Sequence, residues 1–165
     1  MEALVTQTYE GEDTQEDLYL TFSIENEVFG IGIGIVKEII GIQPITVIPD
    51  FPEHIKGVIN LRGKIIPVMD IRLRFNKPSQ VYDSRTCIIV IEIQGSSIGL
   101  IVDRVAEVVA IPEGDIASPP EINKRDCSYI KGFGKVGGGI TMLLNCSVLL
   151  NDKAESLMQM KENGL

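Results

Sequence analysis

Between residues 18 and 41 the chain is dominated by isoleucine, valine and leucine, interrupted by the polar Glu25-Asn26-Glu27. Leu18–Ile24 is a short apolar run. After the polar triplet, Val28 to Ile35 alternates glycine and isoleucine as Gly30-Ile31-Gly32-Ile33-Gly34-Ile35. A period of two places alternate side chains on opposite faces, so both segments are expected to be strands joined by a tight turn. At Val36 the phase slips. The spacing of Val36-Lys37-Glu38-Ile39-Ile40 also fits a helical turn, but β-branched residues lose side-chain freedom in helices, so a bulged strand is the better expectation. Further on, Gly57-Val58-Ile59-Asn60 and Ile65-Ile66-Pro67-Val68-Met69-Asp70 flank the turn Leu61-Arg62-Gly63-Lys64, the pattern of a hairpin.

The second half repeats this pattern. A shift of 69 positions lays Tyr19-Leu20-Thr21-Phe22 on Ile88-Ile89-Val90-Ile91, Gly30 on Gly99, Val36 on Val105, Glu38 on Glu107 and Ile42 on Ile111. A shift of 75 lays Ile55-Lys56-Gly57 on Ile130-Lys131-Gly132, Gly63 on Gly138, Ile65 on Ile140 and Asp70 on Asn145. Asp and Asn are both good helix N-caps, so a short helical turn is expected after each. The extra residues fall around Pro112 to Asn123. Internal repetition of short strands with turn signals points to two small closed or nearly closed barrels, first copy 18–84 and second copy 85–150, roughly interleaved. One continuous sandwich fits the same pattern. The acidic segment 1–17 is expected to be a flexible tail and 151–165 a C-terminal tail, at most partly helical.

The repeat isolates one residue. Where the first copy turns with Leu61-Arg62-Gly63-Lys64, the second turns with Val136-Gly137-Gly138-Gly139. Glycine reaches positive φ at little steric cost, so the turn itself does not need an arginine. Arg62 is therefore either a solvated charge at a hairpin tip or a rigid, multi-donor contact for a partner. In the second case Glu38, on the bulged strand of the same half, is its expected ion-pair mate. Glu38 and Glu107 also fit ordinary outward positions of half-exposed strands.

Charge narrows the function classes. The 165 residues carry a formal charge of −8, and six of the acidic groups lie in the first 17 residues without a Lys or Arg among them. The remainder, at −2, lacks the basic stripe that nucleic acid or an anionic membrane surface requires. A single-strand nucleic-acid barrel would also need aromatic platforms, and aromatics make up 5%. No apolar run is long enough to span a bilayer, and the acidic start is unlike a secretory signal, so a cytoplasmic location without membrane insertion is expected. Cys87, Cys127 and Cys146 have no metal-ligand spacing and suit reduced thiols; a thiol enzyme built on Cys127 is a competing reading. His54, in a proline-flanked loop, is expected to be solvated. Gly30-x-Gly32-x-Gly34 does not open a helix and Gly137-Gly138-Gly139 lacks a following Lys-Ser/Thr, so neither is a phosphate cradle. No catalytic residue, metal site or cofactor is expected.

The runs FGIGIGIVKEIIGIQPITVIP (Phe29 to Pro49), IKGVINLRGKIIPVMDIRLRF (Ile55 to Phe75), GLIVDRVAEVVAI (Gly99 to Ile111) and YIKGFG (Tyr129 to Gly134) together resemble the CheW family of chemotaxis coupling proteins, over residues 18 to 150. The resemblance implies a mainly β fold: two five-stranded SH3-like barrels packed about a shared core, with short helical turns. It also implies a non-catalytic adaptor joining the histidine kinase CheA, through its regulatory domain, to the cytoplasmic tips of methyl-accepting chemoreceptors in signalling arrays. Carried over by motif, receptor contact falls on Val36, Glu38, Leu61 and Arg62, with Ile33 and Val105 as weaker additions. Kinase contact falls on Ile42, Ile45, Thr46 and Ile122. Gly32 and Gly34 stand where the family has larger or polar residues, which implies a shallower groove wall. A CheV-like coupling half or a free-standing relative of the kinase's regulatory domain fits the same motifs.

Overall fold

A computed structural model describes residues 14–119 and 129–150. Eleven strands lie in it: β1 (Leu18–Ile24), β2 (Glu27–Gly32), β3 (Val36–Gly41), β4 (Ile55–Leu61), β5 (Lys64–Asp70), β6 (Cys87–Ile93), β7 (Ser96–Val102), β8 (Arg104–Ala110), β9 (Ile116–Ala117), β10 (Ile130–Val136) and β11 (Gly139–Leu144). One helical turn, α1 (Ile71–Arg74), follows β5, and residues 146–150 are helical after β11. Of the expected tail 1–17, Thr14–Asp17 form a 3-10 turn leading into β1; residues 1–13, the expected tail 151–165, Ile122 and Cys127 lie outside the described residues.

The strands form two mainly antiparallel sheets, ordered β8-β1-β2-β11-β10-β9 and β3-β6-β7-β5-β4. Each sheet takes strands from both sequence copies. The first copy's opening hairpin, β1–β2, joins β8–β11, and its counterpart β6–β7 joins β3–β5. The edge strands of each sheet are consecutive in the chain, so each sheet curls toward closure. In the six-stranded sheet, β8 leads through the 3-10 turn Glu113–Asp115 into β9, which pairs with β10. In the other, the chain leaves β3 and pairs Thr46 with Val58 of β4.

Register confirms the duplication pair by pair. Tyr19 faces Gly32 and Thr21 faces Gly30, while 69 positions on Ile88 faces Ile101 and Val90 faces Gly99. Ile55 faces Met69 and Ile130 faces Leu144, each hairpin slipping register at the same place. The bulge expected beyond Val36 lies between Val36 and Glu38 against β6, and its twin falls at the matching point of β8 against β1. Asp70 caps α1 by accepting from the N–H of Arg72, and Asn145 accepts from Val148 N–H at the equivalent turn.

Period two governs burial as well. Tyr19 lies inside the first sheet's barrel, while Leu20 and Phe22 face the core shared by both sheets. On β6, Ile88 and Val90 likewise face inward to their own barrel, and Ile89 and Ile91 face the shared core. Strands buried on both faces explain the nearly unbroken apolar runs of the sequence.

Two expectations are corrected. The strand expected to continue to Ile35 ends at Gly32, and Ile33–Ile35 is a 3-10 turn closed by Val36 N–H donating to the Ile33 carbonyl. Here the chain crosses from one sheet to the other, and the turn swings Ile33 into the shared core. His54 is buried rather than solvated. Its carbonyl accepts from Asp70 N–H at 2.7 Å where β5 enters α1, and this junction draws the residue inward.

Candidate functional site

The site grows from the seam where the second sheet closes. β3 and β4 are its opposite edges, and three features bring them together. Thr46 and Val58 exchange two backbone hydrogen bonds of 2.9 Å. Next to Val58, Gly57 at φ +150 leaves no room for a side chain, since a Cβ there would collide with the Thr46 carbonyl oxygen. At the tip of β4–β5, Arg62 reaches across to Glu38 on β3 with both terminal nitrogens, Nη2 to Oε1 at 2.6 Å and Nη1 to Oε2 at 3.2 Å. The expected ion pair is present and bidentate, the geometry the planar guanidinium favours.

The turn beneath it is strained at one residue. Arg62 sits at φ 52 and Gly63 at φ 84, matched by Gly137 at 55 and Gly138 at 83 in the second copy. Both are two-residue turns needing left-handed backbone at both central positions, which costs an L-residue about 1–2 kcal/mol. Asn60 supports the turn by accepting from Gly63 N–H at 2.8 Å. Arg62 is thus held where its twin uses glycine, and its side chain stays 67% exposed against 31% for Glu38. Glu107, the twin of Glu38, forms no ion pair among the described residues; its backbone N–H donates to the Thr21 hydroxyl, which in turn donates to its carbonyl.

The other sequence-selected residues divide. Leu61 is half-buried against the interior of the same barrel, and Val36 is half-buried against the shared core. Ile33 and Val105, at 7% and 9% exposure, are core residues beneath the surface. Ile42 is exposed at 36%, Ile45 packs half-buried on the barrel interior, and Thr46 forms the closing bridge. Beside Glu38, the bulge sends Lys37 to Glu92 on β6 at 2.8 Å; this hydrogen bond raises the lysine's pKa and lowers the glutamate's.

The profile for the CheW-like domain matches residues 18–154. The chain belongs to the CheW family. Among its relatives, the chemotaxis protein CheW of Klebsiella aerogenes is 33% identical over 159 residues, covering 96% of each chain. CheW of Bacillus subtilis is 36% identical over 107 residues, 65% of this chain and 69% of that one. The crystal structure of the scaffolding protein TtCheW from Thermoanaerobacter tengcongensis superposes with a TM-score of 0.76 at 37% identity, covering 82% of this chain and 92% of that one. CheW-family membership makes the chain a non-catalytic chemotaxis scaffold with the two-barrel fold of that family.

A polar network between the sheets escaped the sequence reading. Arg72 donates to Asp103 from Nε at 2.8 Å and Nη2 at 2.6 Å, and Asp103 also accepts from Glu25 N–H at 2.7 Å. Burial opposes ionisation of Asp103, but these hydrogen bonds outweigh it and hold the carboxyl below its ordinary pKa. The hydrogen bond to Asp103 likewise raises Arg72, against its own burial. Nearby, Tyr82 donates to Asp70 at 2.7 Å, and burial followed by this bond raises the phenol's pKa. The one signal in the sequence was Asp103 itself, a charge directly after the apolar run Leu100-Ile101-Val102. These groups line a polar cavity of about 260 Å³. Among the described residues no cluster of His, Cys, Asp or Glu can hold a metal ion, and no helix is long and apolar enough to cross a membrane.

Proposed function

We propose that the chain couples the histidine kinase CheA to the cytoplasmic tips of methyl-accepting chemoreceptors, from the cytoplasm and within membrane-bound receptor arrays. Receptor contact is assigned to Val36, Glu38, Leu61 and Arg62, with Ile33 and Val105 supporting from the core. Kinase contact is assigned to Ile42, Ile45 and Thr46, together with Ile122. The observation that carries the reading is Arg62, fixed to Glu38 by two hydrogen bonds on a left-handed turn that the second copy builds from glycine. Left-handed non-glycine residues also stand in the β1–β2 and β6–β7 turns, at Glu25 and Gln94, so what supports the reading is the two-pronged, largely exposed guanidinium at this tip and not the strain alone.

The receptor element suited to this surface is an amphipathic helical hairpin, with apolar residues against Val36 and Leu61 and a polar flank meeting Arg62. Each buried aliphatic side chain contributes about 1.5–3 kcal/mol. Loss of rotational and translational freedom offsets much of that, leaving single contacts near the micromolar range. Multivalent assembly then raises the effective affinity. Three-component co-sedimentation tests the reading: receptor fragments should pellet the kinase only when this protein is present. Kinase pelleting without it, or failing to pellet with it, rejects the assignment.

A further inference from the structure

The duplicated hairpins β4–β5 and β10–β11 are twins in register but not in anchorage. β4–β5 buries Ile55, Ile59, Ile66, Val68 and Met69, whereas β10–β11 buries only Leu143 and Leu144 as apolar core residues. The difference falls on the barrel interiors. Ile59, Ile66, Val90 and Ile101 in one barrel correspond to Gly134, Thr141, Thr21 and Gly32 in the other. Ile111 partly compensates by packing onto Gly134. Among the described residues, the interior cluster of that barrel consists of Tyr19, Ile111 and Leu143, against six buried residues in its twin.

The hairpin tips follow the same order. The tip of β4–β5 is tied to β3 by Arg62 and Glu38, while the tip of β10–β11 is Gly137-Gly138-Gly139 with no side chain to offer. β11 meets the rest of its sheet through a parallel register of three pairs with β2, just as β5 meets β7, so backbone pairing is equal and the difference lies in the side chains. On their outer sides the two hairpins are also alike, β10 pairing with the two-residue β9 and β4 with the single bridge from Thr46 to Val58. By contrast β1 and β2 carry Leu20, Phe22, Phe29 and Ile31 into the shared core, and the turn joining them is fastened to Asp103.

We infer that β9, β10 and β11 form a separately opening unit, which detaches from β2 while the barrel bearing Glu38 and Arg62 stays folded. Local opening follows the distribution of buried apolar contact, so the thinly anchored twin opens at lower free energy. The duplication gives the molecule one rigid barrel for the candidate site and one barrel with a releasable hairpin.

Native-state amide hydrogen exchange on the full chain tests this with the molecule as its own control, by comparing β10 and β11 with their equivalents in β4 and β5. Protection in β10 and β11 should be at least about tenfold lower. A smaller difference, or the reverse order, overturns the inference. Thr141→Val, a near-isosteric change toward the aliphatic residue of the other barrel, should narrow the gap without altering β5–β7. If that variant slows exchange equally everywhere, the hairpin does not open by itself and the inference fails.

Discussion

Replacing Arg62 by Gly and by Ala separates what the residue does for the fold from what it does for a partner. Arg62 stands at φ 52, where an L-residue costs about 1–2 kcal/mol. Alanine keeps that cost and loses the ion pair to Glu38, worth about 0.2–1 kcal/mol for a pair this exposed. Glycine relieves the strain, but its greater freedom in the unfolded chain takes back about 0.4–1 kcal/mol. The Gly variant should therefore match wild type to within about 0.5 kcal/mol, and the Ala variant should be about 0.5–1 kcal/mol less stable than the Gly variant. Urea denaturation followed by circular dichroism, with an unchanged m-value, measures both differences. An Ala variant as stable as the Gly variant would show the turn is unstrained. A loss of 3 kcal/mol or more in both, far above the roughly 1 kcal/mol ceiling of an exposed pair, would show that the ion pair is structural.

Other consequences are equally concrete. Val36→Asp places a charge against the shared core and candidate groove, and should abolish receptor-fragment binding in a pull-down; binding retained by a folded variant would move the groove elsewhere. Gly57→Ala forces a methyl group onto the Thr46 carbonyl oxygen, and should lower stability by more than about 2 kcal/mol with loss of the Thr46–Val58 bridge by NMR. Asp103, held below the ordinary aspartate pKa, contributes stability that is present above that ordinary pKa and lost as pH falls through the folded one. Asp103→Asn should accordingly flatten the acid limb of a stability-against-pH curve. Cys146 is buried with its thiol pushed up to about 12, so thiol-specific reagents at neutral pH should modify it only after unfolding.

The sequence exposed the fold unusually far because duplication writes each structural constraint twice. Bulges, hairpin registers and caps recur at fixed offsets, so Val36 could be read against Val105 and Asp70 against Asn145. The same comparison made Arg62 conspicuous and led to Glu38. It failed where the two halves part company. The 3-10 turn at Ile33–Ile35 lies in a run whose alternation reads as strand, and only the crossing between sheets ends it. The Arg72–Asp103 pair joins residues 31 positions apart, and neither has a charged twin, since Ser147 and Gly34 stand at the equivalent places. His54 looked exposed because prolines flank it; its backbone role at the β5–α1 junction is a tertiary fact. Ile33 and Val105, chosen with the surface residues, are buried in the shared core, Ile33 because the 3-10 turn swings it inward and Val105 because β8 carries it there, and neither placement has a sign in the apolar pattern.

Kinase recovery in receptor-fragment pellets, measured for wild type and Arg62→Gly at equal concentrations, bears most directly on the proposed coupling role. The glycine variant should fold as well as wild type yet carry markedly less kinase into the pellet. Undiminished recovery would mean that the hairpin-tip arginine is an ordinary solvated charge and that coupling, if present, runs through another face.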